Sequence, residues 1–226
     1  MHRNTPFVQG EMYHIYNRGT EKRSIFLSDT DRDRFQLLLY IANSPNPVHF
    51  SNLLYLYQGL PLIEIYKGYD IGERLVDIGA YCLMPNHFHI LLRERTENGI
   101  SKFMLKLSTA YSMYFNKKNE RSGALFQGAF KSKHVGDEAY LNWLFSYIHL
   151  NPLKIIEPGW KEKGVRNVSG AKDFMKKYAY SSHRDYFEDT RPESKILARG
   201  EFPEYFSDIN DFESLCEEFG KPPEGD

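Results

Sequence analysis

The chain has 226 residues, 29 Lys and Arg against 30 Asp and Glu, and 41% apolar residues, which suits one domain with decorations and excludes a bulk-basic nucleic-acid binder. No apolar run is long enough to span a bilayer, and the opening residues MHRNTPFVQGEMYH lack the apolar core of a signal peptide, so a cytoplasmic location is expected. Two distant cysteines, Cys82 and Cys216, with no C-x-x-C, argue against a disulfide framework and against zinc ribbons.

In chain order, Glu11 to Arg18 (EMYHIYNR) alternates in the manner of a strand, and Asn17-Arg18-Gly19 ends it in a turn. His14 on this strand could face His87 and His89 across a sheet, but it reads first as a half-buried strand histidine and receives no role. Ser28-Asp29 caps a helix of about fifteen residues, with Phe35, Leu38, Leu39 and Ala42 at helical spacing. Residues 43–74 read as an insertion, with a helix predicted over His49 to Gln58. Leu75 to Tyr81 and His87 to Arg93 form a strand pair across a Pro85-Asn86 turn. Gly99 to Asn116 is a helix with Phe103, Leu107, Ala110, Tyr111 and Tyr114 on its apolar face. Ala124 to His134 is a strand or hairpin arm. Asp137-Glu138 opens a helix that closes at Asn151-Pro152. Tyr180-Ser181-Ser182 reads as a loop, and Ser207 to Phe219 as a short acidic helix. The order strand, helix, strand, strand, helix, strand, helix predicts an α+β sandwich of ferredoxin-like or RRM-like type, an antiparallel central sheet with helices on one face.

The chemistry concentrates in GAYCLMPNHFHILLRER, residues 79–95. His87 and His89 are two apart on a strand, so both side chains share one face while Phe88 points to the other. Such a pair can serve one metal ion or pack as two core histidines. Tyr147 and Asn151 are four apart and share a helix face. A tyrosine and an amide oxygen presented together suit a metal-assisted phosphoryl attack, although any one of sixteen tyrosines can equally pack. Two imidazoles and an amide oxygen suit Mg²⁺ or Mn²⁺, and imidazoles would also accept Zn²⁺.

Charge is unevenly distributed. Lys102, Lys106, Lys117, Lys118, Arg121, Lys131 and Lys133 face only Glu120 between residues 101 and 134, whereas residues 199–226 carry nine acids against Arg199 and Lys221. The interleaved aromatics of the basic stretch fit a groove that tracks a nucleic-acid strand, or a core.

His87-Phe88-His89 resembles the HUH motif of single-tyrosine endonucleases and transposases. YHIYNRG (13–19), YCLMPNHFH (81–89), GALFQG (123–128), YIHLNP (147–152) and YSS (180–182) follow in the order found in the REP-associated tyrosine transposases. The resemblance covers residues 10–187. It implies that His87 and His89 hold the metal, that Tyr147 is the nucleophile forming a 5′-phosphotyrosine link, and that Asn151 stands where insertion-sequence relatives carry a metal-ligating glutamine. It also implies a single-stranded, hairpin-bearing DNA substrate, joining without ATP, and a monomer or homodimer. Arg18 joins the seven basic residues of the 101–134 stretch as a DNA-contact candidate. Ala129 departs from the arginine frequent in the family. Residues 1–187 then form the transposase domain, with the 43–74 insertion, and 188–226 an acidic extension expected to pack on the core.

Two other readings compete. A domesticated, non-catalytic binder of structured DNA would not need all four site residues intact. A generic metal hydrolase is disfavoured by the absence of H-x-H-x-D-H, of a third histidine at Leu91, and of paired H-x-[ST] motifs.

Overall fold

A computed structural model describes residues 6–47, 50–188, 191–203 and 211–220. Four strands carry the architecture: β1 (Met12–Arg18), β2 (Val76–Met84), β3 (His87–Glu94) and β4 (Lys131–Val135), all antiparallel in the order β2-β3-β1-β4. The helices on this frame are α1 (Asp29–Ile41), α4 (Gly99–Lys118) and α5 (Glu138–Leu150). Residues 43–74 contribute α2 (Phe50–Leu56) and α3 (Ile63–Gly68) between α1 and β2. The C-terminal part adds α6 (Trp160–Lys163), α7 (Val168–Lys177), α8 (His183–Phe187) and α9 (Phe212–Phe219). The predicted α+β sandwich and its element order are therefore what the chain forms.

Strand alternation divides the sheet into two faces. Tyr13, Ile15, Ile78, Tyr81, Leu83, Phe88, Ile90 and Leu92 pack with α1 and α4 in one apolar core. Ala80, Cys82, Met84 and Leu91 pack with Leu141, Leu144, Phe145 and Ile148 of α5 in a second core. The expectation of helices on one face holds for α1 and α4 but not for α5, which covers the other. The reason lies in α5 itself: its apolar stripe needs a partner, and Leu91, Ala80 and Cys82 supply one only on the histidine side of β3.

The termini of these elements are built locally. Asp31 accepts from the backbone N–H groups of Leu27 (2.9 Å) and Ser28 (3.0 Å), so the α1 start is tied back on itself. Glu94 accepts from Gly99 N (3.0 Å) and Ile100 N (2.7 Å) at the start of α4. Asp137 caps α5 by accepting from Tyr140 N at 2.7 Å.

Two sequence expectations change in detail. Within 124–134 only Lys131–Val135 is regular strand; Phe126 bridges to Gly19, and Gln127 N donates to Arg18 O, so the segment extends the end of β1. Tyr180-Ser181-Ser182 is less a free loop than a seal on the β2 edge: Leu83 N donates to Tyr180 O, Ser182 N donates to Tyr81 O, and Tyr81 N donates to Ser182 Oγ. An edge strand presents unpaired backbone groups that must find partners, and this segment supplies them.

The described parts of the acidic extension pack on the domain. Phe202 lies on Gly79 of β2, where a Cβ would meet its ring at 2.6 Å. Phe212 and Leu215 of α9 are buried beside α5. Of the helix expected over Ser207 to Phe219, residues 204–210 lie outside the described residues.

Candidate active site

The His87 end of β3 is positioned by the turn before it. Gly19 N donates to Asn86 O, and Ile25 N to Pro85 O. Asn86 Nδ2 donates to Lys22 O at 3.0 Å, while Asn86 Oδ1 lies 2.6 Å from His87 Nδ1. Asn86 thus clamps the loop after β1 and engages one nitrogen of His87.

His89 is engaged in the same way from β1. His89 Nδ1 lies 2.8 Å from His14 Nε2, and the two rings stack with centroids 5.0 Å apart. His14 sits opposite Leu91 in the β1–β3 register and Tyr16 opposite His89, so all four share the histidine face. Of the two sequence-based expectations for His14, the placement across the sheet from the histidine pair is the one formed. The signal that finds it is the pairing register, which a single strand does not carry.

Tyr147 reaches this face from α5. Its ring centroid is 5.3 Å from that of His89 and 6.2 Å from that of His14. Trp143, one helical turn earlier, stacks on it at 5.1 Å, and Lys161 Nζ lies 4.1 Å from its centroid. Asn151 is fully buried against His87 and Tyr147. Its backbone stays helical (φ −54°, ψ −36°) and leads into a 3-10 turn over Asn151–Ile155, so Pro152 narrows the helix without turning Asn151 out of it. Neither atom of the Asn151 amide makes a well-aligned hydrogen bond among the described residues.

Electrostatics keep the imidazoles neutral. Burial first, then the fields of Lys154, Lys161 and Arg18, hold His87 down at about 4. Burial, with His14 and His87 next, holds His89 well below the usual histidine range. Burial raises the Tyr147 phenol, opposed by Asn151 and Lys154. Neutral imidazoles with free lone pairs are the ligand-competent form. Among the described residues no group of three or more His, Cys, Asp and Glu side chains is arranged to hold a metal, so a third ligand from the protein has to be of another type, such as the Asn151 amide.

A cleft of about 560 Å³ opens beside the pair, lined by Tyr16, Arg18, Lys22, His87, His89, Gln127, Lys131 and Lys154 among others. Arg18 donates to Gln127 on its rim. Lys131 and Lys133 are on the histidine face of β4, opposite Tyr16 and His14, and Lys133 Nζ lies 4.4 Å from the Tyr140 ring centroid. The other basic candidates sit elsewhere. Lys102, Lys106, Lys117 and Lys118 belong to α4 and Arg121 follows it, on the opposite face of the sheet. Lys106 donates to Ser44 O and Asn46 O, Lys118 to Asp31 at 2.6 Å, Arg121 to Asn116 at 2.9 Å and Lys102 to Glu97 O at 3.1 Å. His149, on the far side of α5 from Tyr147, is fully buried 2.8 Å from Ser182 Oγ.

Residues 67–151 match the family described as "Transposase IS200 like". That stretch contains His87, His89, Tyr147 and Asn151, and of the ordered motifs it takes in YCLMPNHFH, GALFQG and all but the last residue of YIHLNP. A solved structure of a REP-associated tyrosine transposase bound to a REP hairpin is 15% identical, with 95% of this chain and 96% of that one covered and a TM-score of 0.48. No curated protein matches the chain.

Proposed function

We propose that this chain, similar over residues 67–151 to the IS200-like transposases, is a metal-dependent enzyme that nicks and rejoins single-stranded, hairpin-bearing DNA. The observation that carries this reading is Tyr147 beside His89, ring centroids 5.3 Å apart, with the buried Asn151 amide against both Tyr147 and His87.

The donor set fits a divalent cation. His87, His89 and Asn151 would hold Mg²⁺ or Mn²⁺, and open positions would remain for phosphate oxygens. When bound, that ion supplies charge stabilisation at the phosphate. Asn86 and His14 each engage an Nδ1, which leaves each Nε2 as the ligating nitrogen when the Nδ1 carries the proton. Tyr147 Oη attacks phosphorus as the P–O3′ bond breaks; the phenol gives up its proton and the departing O3′ takes one up, leaving a 5′-phosphotyrosine and a free 3′-OH. The reverse attack by a 3′-OH rejoins the strand, with the bond energy kept in the ester. Within one chain all four groups lie together, which suits a monomer or a homodimer whose subunits act independently. Arg18, Lys22 and Lys131 line the cleft, and Lys133 continues the same face of β4, so these are the cations that would track the strand. The cations of α4 are not part of that track. Among the described residues no helix is long and apolar enough to cross a membrane.

The test is a denaturing gel after incubation with labelled single-stranded hairpin DNA and Mn²⁺. A covalent protein–DNA band is expected for the wild type and none for Tyr147→Phe. A band retained in Tyr147→Phe rejects the nucleophile. No wild-type band despite tight binding favours a non-catalytic binder of structured DNA.

A further inference from the structure

Two lysines that no motif marks stand beside the site, Lys154 in the cleft and Lys161 over the Tyr147 ring. Lys154 lies three residues after Asn151, is exposed, and lines the cleft with His87 and His89. Lys161 on α6 is half-buried, with Nζ 4.1 Å from the Tyr147 ring centroid and 5.9 Å from that of Trp160. Neither makes an ion pair to a carboxylate among the described residues. Both are felt at His87 and at His89.

Two unneutralised ammonium groups beside a cation site work against the cation. They favour an anion in the same place. A phosphodiester brings one negative charge, and charge develops further on its oxygens during transfer. We propose that Lys154 and Lys161 seat the reacting phosphate beside Tyr147 and thereby couple divalent-cation loading to DNA binding. This inference rests on the metal and nucleophile reading above. In the transfer step Tyr147 Oη bonds to phosphorus as the P–O3′ bond breaks, and the lysines stay protonated throughout. The free protein then holds its divalent cation weakly. Bound DNA neutralises the lysines and raises cation affinity, and by linkage the cation raises DNA affinity by the same factor. Such an arrangement limits nicking to the fully assembled complex.

The experiment is calorimetric titration of Mn²⁺ into the full chain, carried out in a Tyr147→Phe background so that DNA is bound but not cut. The phenylalanine keeps the ring that Lys161 covers. Three versions are compared: unmodified lysines, Lys154→Met with Lys161→Met, and Lys154→Arg with Lys161→Arg. Without DNA, the Met pair should bind Mn²⁺ about three- to tenfold tighter than the lysine chain, as expected for removing nearby like charge. With a single-stranded hairpin oligonucleotide present that advantage should vanish, and the Arg pair should follow the lysine chain in both conditions. With Tyr147 restored, the Met pair should form the covalent adduct roughly ten- to a hundredfold more slowly. Equal or weaker Mn²⁺ binding by the Met pair without DNA overturns the proposal. If the Met pair does not fold by circular dichroism, Lys154→Gln alone must give the same sign, because Lys154 is exposed, and the opposite sign overturns the proposal equally. The underlying reading fails differently: Mn²⁺ binding insensitive to His87→Ala, or no adduct from the wild type.

Discussion

The two faces of β3 do opposite work with alternate residues of one strand. Phe88, Ile90 and Leu92 disappear into a core of aromatic rings: Phe88 lies 5.1 Å from Phe35 and 5.9 Å from Phe126 by ring centroid. His87 and His89 face a helix that covers only part of their side of the sheet. α5 seals Leu91 and the start of β1, then ends at Asn151, and beyond it the cleft opens. One face stabilises the domain by burial. The other keeps polar groups partly desolvated and incompletely paired, a costly arrangement that proteins retain where a ligand is to be held. Tyr147 and Phe88, on opposite sides of the sheet, are therefore expected to fail in opposite ways: one loses chemistry, the other the fold.

The sharpest division comes from the ligands. His87→Ala with His89→Ala should cost more than about a hundredfold in Mn²⁺ affinity, since outer-shell partners alone are worth about 10–100-fold. The melting temperature of the metal-free protein should fall little, because neither ring fills the aromatic core. Calorimetric titration beside a thermal melt measures both. Phe88→Ala should do the reverse, lowering stability by about 3–5 kcal/mol in urea denaturation, with the protein that remains folded still binding Mn²⁺. If Phe88→Ala abolished cation binding at full stability, the two faces would not be separable.

Acid should act through the histidine face. His87 sits at about 4 when folded, against about 6.5 unfolded. The unfolded chain therefore takes the proton first. The His87 contribution to the stability of the metal-free protein should be complete above about pH 6.5, decline as the pH falls, and level off near pH 4 after a loss of about 3 kcal/mol, while His89 and His149, held well below the usual histidine range, carry the decline to lower pH. His183, also held at about 4 by burial, adds to the same decline. Denaturation curves of wild type and His87→Asn across that range isolate the His87 share, and an identical pH dependence in both would remove it.

The smallest expected effect belongs to His14. His14→Ala leaves His89 without its 2.8 Å partner and should weaken Mn²⁺ binding by roughly 10–100-fold, with Tyr147 and the aromatic core unchanged. Calorimetry on the metal-free protein checks it, and a loss below twofold would make His14 a packing residue only.

Much of this molecule was legible one strand or helix at a time. The alternation of residues 87–93, the caps at Ser28 and Asp137, and the spacing of Phe103, Leu107 and Tyr111 are local, because strand and helix periods are local properties of the backbone. The start of α5 was read to the residue, and its end at Asn151 to within one. What did not transfer was adjacency. The basic residues between 101 and 134 look like one patch in sequence, yet Lys106, Lys118 and Arg121 are spent on carbonyls, a carboxylate and an amide behind the sheet, while Lys131 and Lys133 line up with His14 and Tyr16. Ser182 looked like part of a loop because its partner, Tyr81, is 101 residues away.

By itself, then, the sequence determined that His87 and His89 share a face, that Tyr147 and Asn151 share another, and that the elements alternate in the order of an antiparallel sandwich. Only the tertiary structure decided that those two faces meet. It set β1 beside β3 in the register that joins His14 to His89, laid α5 on the histidine side where Leu91 could be covered, and brought Lys154 to the cleft and Lys161 to the Tyr147 ring. The physical reason is that periodicity fixes direction within an element, whereas the pairing of elements is selected by burial summed over residues far apart in the chain.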